Sequence, residues 1–264
     1  MKPIIKYLGG KYKEIPNFID YIPKEFNTYI EPFIGGGALY FYLEPKKAII
    51  NDINEKLITF YSTIKNNHLQ LNQEINKIID KYNSSTMENN KIFYYYMRNR
   101  FNNNDNVYLD ATIYYFINKT CFSGLSRINS SGKFNVPFSY YDKINNNITE
   151  KHINLLKNTQ IYNVDYSQIL RKAKKDDFIF IDPPYPNSYN KYANNDVFDE
   201  QEQIRLATNF KNLSCKSLMI INETALTKEL YKKYIYKSYN KRYAINIKNR
   251  INKDSTHLII SNYL

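Results

Sequence analysis

Residues 178–189, FIFIDPPYPNSY, carry the densest set of groups that can do chemistry in this sequence. Four apolar residues, Phe178 to Ile181, suit a strand covered on both faces. Pro183-Pro184 cannot continue its ladder, because neither has an N–H to donate. Asp182 is therefore expected at the carboxyl end of a strand. In an open parallel α/β sheet that edge is where ligands bind, so a carboxylate, the stiff backbone carbonyls of Pro183 and Pro184, and the Tyr185 ring would share one small space. The set suits methylation of an exocyclic amino group on a purine or pyrimidine, a nitrogen whose lone pair is delocalised into the ring. Asp182 can accept one amino hydrogen and the Pro183 carbonyl the other, so that developing positive charge meets preorganised acceptors, and no metal is required. Tyr185 offers a flat face for an extruded base, worth ~1–3 kcal/mol on the usual base–aromatic scale. The same residues also suit a Pro-rich turn after a strand.

Such a site needs elements that bring a donor against it. Near the start, KPIIKYLGGKYKEI puts Gly9 and Gly10 between Tyr7 and Lys11, ahead of a helix-like segment ending near Tyr21. A Gly pair suits close approach to a ligand or a plain turn. NTYIEPFIGGGALYFYLEP reads as a strand over 28–33 that includes Phe33, a tight turn at Gly35-Gly36-Gly37 and a helix from Ala38 to Leu43. The glycine spacing is not that of the dinucleotide fingerprint, and no Lys-Ser/Thr pair follows as in a phosphate loop, so a ligand without phosphates fits better. KKAIINDIN is a second strand ending on Asp52, where an acid can accept hydrogen bonds from ribose hydroxyls. Asp52 also suits a cap for a helix starting near Glu55. QIYNVDYSQIL is a third strand ending on Asp165-Tyr166, residues 177–182 form the fourth, and KSLMIIN the fifth. Before the fifth, FDEQEQIRLATNF starts a helix with Asp199 as cap and Glu202 three residues on.

Between the glycine unit and the Asp182 strand the pattern changes to helical periodicity with high polarity. Leu57, Tyr61, Ile64 and then Leu71, Ile75, Ile78, Tyr82 recur at spacings of three and four, as core stripes do. Further helices are expected over 89–101, with Arg98 and Arg100 facing solvent or phosphates, and over 110–119. This inserted helical block ends in a loop, NKTCFSGLSRINSSGKFNVPFSYYD, that carries Phe122, Arg127, Lys133 and Pro137. Aromatic and basic groups on a loop suit a nucleic-acid reader or a solvated surface. The tail over 228–253 holds nine Lys or Arg and one acid, Glu229, on hairpin-like sequence; this gives a solvated face or a rim for phosphates.

Composition is consistent with that reading. The 264 residues can bury a sizeable core, and a net charge of +12 points to a polyanion, nucleic acid being the simplest. No apolar run is long enough to span a membrane and no signal peptide is evident. Two cysteines, Cys121 and Cys215, make no metal or disulfide framework, so a reduced, cytoplasmic protein is expected.

With these segments in place, the chain resembles the Dam-type (alpha-class) DNA adenine-N6 methyltransferases over almost its whole length. The motifs run in the family's order: KYLGGK, EPFIGGGA, the NDIN acid, NKTCFSGLSR with GKFNVPF, then DPPY. The resemblance implies an α/β fold, the Rossmann-like seven-stranded S-adenosylmethionine-dependent methyltransferase fold, with an inserted, mostly helical target-recognition domain. It places the catalytic domain in 1–56 and 158–264 and the inserted domain in 57–157. It implies S-adenosylmethionine as methyl donor, no metal, and double-stranded DNA with a flipped adenine as acceptor; it leaves room for a restriction-enzyme counterpart in the same system and calls for no stable protein partner. Carried over by position, Tyr7, Lys11, Phe33, Gly35 and Asp52 hold the cofactor, Asp165 and Tyr166 meet its adenine, and Asp182 touches cofactor and target. Lys6, Phe122, Ser123, Leu125, Arg127 and Pro137 match positions that read or separate bases, which suggests a target beginning 5′-GA, with GATC the leading candidate. Two positions depart from the family pattern, Ser123 where Asn is usual and Ser139 where Gly is usual, and both bear on the recognition sequence. Three alternatives stand beside this reading. Cytosine-N4 methylation resembles Ser-Pro-Pro-Tyr more closely; methylation of RNA or of a protein glutamine amide resembles Asn-Pro-Pro-Tyr and lacks the inserted lobe. A basic DNA-binding module without catalysis is the third, against which the intact glycines, Asp52 and Asp182 argue.

Overall fold

The computed structural model describes residues 1–103, 107–185, 198–242 and 254–264. Among these described residues, seven strands form one sheet: β1 (Tyr29–Glu31), β2 (Ala48–Asn51), β3 (Thr159–Tyr162), β4 (Phe178–Ile181), β5 (Lys216–Asn222), β6 (Ile235–Arg242) and β7 (Asp254–Ser261). Their order is β3-β2-β1-β4-β5-β7-β6. The first five in that order are parallel, and β7 runs antiparallel to both of its neighbours. The chain winds outward from β1 through β2 to β3, then returns to β4 on the other side of β1. Strand order thus reverses between β1 and β4, and a crevice at such a reversal, at the strands' carboxyl ends, is where doubly wound sheets bind ligands.

Alternation along the strands splits the core in two. Phe178 and Phe180 pack with Tyr29, Ile50, Leu218 and Ile220 on one face, while Ile179 and Ile181 pack with Ile30, Ile49, Met219 and Ile221 on the other. All four residues of β4 are buried, as a strand covered on both faces requires. The second face is closed by α7 (Tyr166–Leu170), α8 (Glu200–Lys211) and α9 (Ala225–Tyr231) through Ile169, Leu206, Phe210 and Tyr231. The first is closed by α1 (Ala38–Leu43), α2 (Glu55–Asn66), α6 (Glu150–Lys157) and two single-turn 3-10 segments, Ile15–Asn17 and Ile19–Tyr21. Those two turns stand where one helical segment was expected.

The helical block is α3 (His68–Ser84), α4 (Met87–Asn103) and α5 (Asp110–Thr120). The stripes Leu57, Tyr61, Ile64 and Leu71, Ile75, Ile78, Tyr82 are buried. Its core is continuous with that of the sheet's first face, and residue 57 lies within α2. No described helix is long and apolar enough to cross a membrane.

Three expected boundaries are corrected. The third strand stops at Tyr162 rather than at Asp165-Tyr166. The Asn51 side chain accepts from the Val164 N–H and donates to the Val164 carbonyl, both at 3.0 Å; this turns the chain, so Asp165 becomes the N-cap of α7. The loop expected from Asn118 begins only after Thr120, because α5 continues to that residue with Asn118 and Lys119 buried in it. Lys228 lies in α9, so the basic hairpin starts at Ile235. Residues 243–253 of that hairpin and 186–189 of the first motif lie outside the described residues.

Candidate active site

The glycine turn after β1 is set by what must lie against it. A Cβ on Gly35 would come within 2.8 Å of Tyr7 Cε1, and Gly35 has a φ of +45°, so a side chain would meet both a ring and an unfavourable backbone. The Gly35 N–H donates to Asp52 Oδ2 at 2.9 Å and its carbonyl accepts from Tyr61 Oη at 2.9 Å. Asp52 follows β2 directly, and its other oxygen accepts from the Asn54 N–H at 3.0 Å. The helix-cap alternative for Asp52 is corrected: Asn54 caps α2, accepting from the Leu57 N–H at 3.2 Å.

Burial raises the Asp52 carboxyl to about 6, against the opposing effect of the N–H groups of Asn54 and Gly35. An acid raised on folding stabilises the folded chain only while protonated, so this contribution is present near pH 4 and is lost as pH rises to about 6. Relative to Asp52→Asn, which does not titrate, the wild-type chain is expected to lose about 2–3 kcal/mol of unfolding free energy over that window. Denaturant titrations at pH 4 and 6.5 measure it; parallel pH profiles would refute the assignment.

Asp182 stands at the end of β4, opposite this turn. Lys11 Nζ lies 2.8 Å from Asp182 Oδ1 and 3.0 Å from Oδ2, and also donates to the Gly9 carbonyl at 3.0 Å. The Lys11 side chain is 2% exposed and that of Asp182 21%. Burial raises the Asp182 carboxyl and Lys11 pulls it back, leaving it above the ordinary carboxylate value. Tyr185 donates to Asp182 Oδ1 at 3.4 Å, and its ring centroid is 4.8 Å from Lys11 Nζ. From α8, Gln203 Nε2 donates to the Pro184 carbonyl at 3.4 Å; Pro183 is buried beside it.

Phe33, Tyr166 and Phe198 form an aromatic group at the next position along the sheet edge, with centroids 5.0 Å apart for Phe33–Tyr166 and 5.8 Å for Phe33–Phe198. Asp165 is held by Arg205 of α8, Nη1 to Oδ1 at 3.1 Å and Nη2 to Oδ2 at 2.7 Å. That bidentate contact holds the Asp165 carboxyl at about 2. Arg205 also lies 4.5 Å over the Tyr166 ring and pairs with Glu202. Sequence reading missed Arg205; its only local signal is the three-residue spacing from Glu202. It also passed over Glu31, buried at the end of β1, which accepts from Tyr29 Oη at 2.7 Å.

A second cluster gathers the expected base-reading residues. Asn118 of α5 clamps the backbone of Lys6, accepting from its N–H at 3.0 Å and donating to its carbonyl at 2.7 Å. Lys6 then packs on Gly124, where a Cβ would come within 2.4 Å of Lys6 Cβ and φ is +64°. Ser123, beside it, also has positive φ, +55°. The Phe122 N–H donates to the Pro137 carbonyl at 2.9 Å, and Phe122 is 47% exposed. Leu125 is partly buried against the core. Lys6, Phe122, Ser123, Leu125 and Pro137 are thereby brought together, and because Tyr7 follows Lys6, this cluster adjoins the glycine turn.

Arg127 is tied elsewhere on the same loop: Nε donates to Asn135 Oδ1 at 2.7 Å and Nη2 to the Asn135 carbonyl at 3.1 Å. Those bonds use two of the five donors on its planar guanidinium. Helix α4 supports the facing strip, with Tyr94 Oη on the Val136 carbonyl at 2.8 Å and Asn102 paired to both backbone groups of Phe134 at 2.8 and 3.1 Å. Gly124→Ala should therefore push Lys6 off the loop. The expected result is a drop of at least tenfold in turnover on DNA with cofactor affinity within twofold; an unchanged rate would show that the Lys6 contact is dispensable.

Sequence comparisons identify the family. The family description "D12 class N6 adenine-specific DNA methyltransferase" matches residues 7–245. The chain is 35% identical to the Type II methyltransferase M.CviBI of Paramecium bursaria Chlorella virus NC1A, over the full length of both. It is 34% identical to the Type II methyltransferase M.MjaIII of Methanocaldococcus jannaschii, over 100% of this chain and 99% of that one. It is 27% identical to a DNA adenine methylase of Salmonella typhimurium, over 87% of this chain and 84% of the relative. Cytosine-N4 and amide methylation are set aside by that match. With its sheet order and an acid-Pro-Pro-Tyr turn at the strand reversal, this chain belongs to the D12 class of N6 adenine-specific DNA methyltransferases.

Proposed function

We propose that the chain transfers a methyl group from S-adenosylmethionine to N6 of an adenine extruded from double-stranded DNA, within a short motif beginning 5′-GA, with GATC the leading candidate. The observation that carries this is the position of Asp182: at the end of β4, beside the strand reversal, with Lys11 on its carboxylate and the Tyr185 ring next to it. The recognition lobe is assigned to residues 57–157 and the catalytic domain to 1–56 and 158–264, with α2 and α6, at the two ends of the lobe, also packing on the first face of the sheet. Relatives named Type II methyltransferases support a role beside a restriction activity. The cytoplasm suits the two free, buried cysteines.

The aromatic pair at the sheet edge and the acids beside it suit S-adenosylmethionine: Phe33 and Tyr166 would face its adenine, Asp165 would accept from the amino group of that base, Asp52 would accept from the ribose diol, and Lys11 would meet the carboxylate. Gly35 and Tyr7 shape the turn between them. When bound, the cofactor supplies an electrophilic methyl on a sulfonium. Asp182 accepts a hydrogen bond from the target amino group and the Pro183 carbonyl accepts another, so positive charge growing on N6 meets acceptors already in place. Tyr185 stacks on the base and the Pro183-Pro184 backbone keeps the acceptors fixed; the cationic nitrogen formed by methylation would then give up one N6 proton to solvent water, restoring a neutral amine.

Recognition is assigned to Arg127 and Lys6 on guanines and to Phe122 as a wedge where the adenine has left, with Ser123, Leu125 and Pro137 shaping the contact. Arg127→Ala is expected to cost about 1–3 kcal/mol of discrimination at one guanine, the scale of a bidentate base contact. Methylation rates on duplexes each bearing one base change measure it. An enzyme merely slower on every sequence, with its preferences unchanged, would place specificity elsewhere.

A further inference from the structure

Behind the Asp182 turn lies a group of buried polar side chains that the transfer step does not use. His257 of β7 is 0% exposed, and its Nδ1 is 2.8 Å from Glu14 Oε2. Glu14, buried in the first 3-10 turn's N-cap position, also accepts from Tyr239 Oη at 2.8 Å and pairs with Lys241, both on β6. Burial pushes the Glu14 carboxyl up, but His257, Lys11 and Lys241 more than offset this and hold it at about 2. A buried ionic group of this kind is a weak stabiliser compared with packed apolar side chains, so its placement calls for another reason.

Two contacts supply that reason. The His257 ring meets the Tyr185 ring edge to face, with centroids 5.3 Å apart and planes at 74°. Glu14 lies one turn beyond Lys11, its N–H donating to the Lys11 carbonyl at 2.7 Å, and Lys11 in turn sits 4.8 Å from the Tyr185 centroid and grips Asp182. Glu14 therefore fixes His257 through its carboxylate and Lys11 through the backbone turn, and both meet at Tyr185. An edge-to-face contact fixes the plane of a ring as well as its place, and the plane of Tyr185 decides whether a base can stack with its amino group on Asp182.

We propose that Glu14 and His257 are positioning residues for methyl transfer, holding the Tyr185 ring in the plane on which the target adenine stacks. This rests on the reading of Tyr185 and Asp182 as the target-base site. A plain structural staple between the amino-terminal segment and the hairpin would affect melting temperature and leave the chemistry alone; a positioning role acts on the step that uses Tyr185.

The test is single-turnover methylation at saturating DNA and S-adenosylmethionine for His257→Ala, Tyr185→Ala and the double variant. Cofactor affinity, melting temperature and the fluorescence of 2-aminopurine at the target position are measured alongside. His257→Ala is expected to slow transfer at least tenfold and to lower the 2-aminopurine signal, with cofactor affinity within twofold. The double variant is expected to be no slower than Tyr185→Ala alone, since both act through one ring. A folded His257→Ala enzyme within twofold of the wild-type rate overturns the proposal, as do losses that multiply in the double variant. If Tyr185→Ala itself keeps the wild-type rate, the site reading fails and takes the proposal with it; a slow Tyr185→Ala beside a normal His257→Ala defeats the proposal alone. Should His257→Ala not fold, the isosteric Glu14→Gln carries the same test, with a rate within twofold of wild type again overturning it.

Discussion

Replacing Asp182 with Asn is expected to lower the single-turnover rate of methyl transfer by about 10²–10³-fold, the scale seen when one preorganised polar group facing developing charge is removed. The asparagine keeps the size of the side chain but replaces one acceptor oxygen with an NH₂ that must face either Lys11 or the adenine amino group, both of them donors. Ground-state binding of DNA and cofactor should change little, since the lost interaction strengthens as charge grows on N6. Asp182→Ala is the less clean variant. It leaves the Lys11 ammonium, 2% exposed, without its carboxylate, at a stability cost of about 3 kcal/mol, the low end of the range for a broken buried pair. The low end applies because Asp182 is itself 21% exposed. A rate for Asp182→Asn within tenfold of wild type, a loss below ~1.4 kcal/mol, would remove Asp182 from the chemistry.

Asp52→Ala is expected to weaken S-adenosylmethionine binding by about 1.5–3 kcal/mol, the scale of hydrogen bonds to a charged group. The geometry adds a second route to the same loss. Asp52 holds the Gly35 N–H at 2.9 Å, so the alanine also frees the turn on which Tyr7 lies. The two contributions separate in Asp52→Asn, whose amide oxygen can still accept from Gly35 while its charge is gone. An intermediate loss for Asn, with DNA affinity in the absence of cofactor unchanged in both variants, is the expected calorimetric pattern. Unaltered cofactor affinity in Asp52→Ala would confine Asp52 to shaping the loop.

The parts of this fold that were legible in the sequence are those set by local pattern. FIFI before a Pro pair announces a strand buried on both faces that must stop, and β4 is that strand. Ala38 to Leu43 and Lys216 to Asn222 were readable to the residue because glycines or polar runs bound them. What escaped depends on partners distant in the chain. Asp165 was assigned to a strand end because nothing nearby shows that Asn51 turns the chain at Val164, 113 residues away. The Lys11–Asp182 pair spans 171 residues, and neither residue's neighbours predict it. Arg205 reads locally as half of a surface helix pair with Glu202, and only the fold brings it to Asp165 and Tyr166. The loop after α5 looked irregular because its supports are side chains on α4, Tyr94 and Asn102, rather than neighbouring strands.

One measurement bears on the whole assignment: incubation of the purified chain with S-adenosylmethionine carrying a labelled methyl group and a mixed-sequence duplex library, followed by nucleoside analysis and sequencing of the modified positions. The expected result is label on adenine N6 alone, within one short motif beginning 5′-GA, and absent when Asp182→Asn replaces the wild-type chain. Label on cytosine, label on adenines irrespective of their neighbours, or label that survives Asp182→Asn would contradict it.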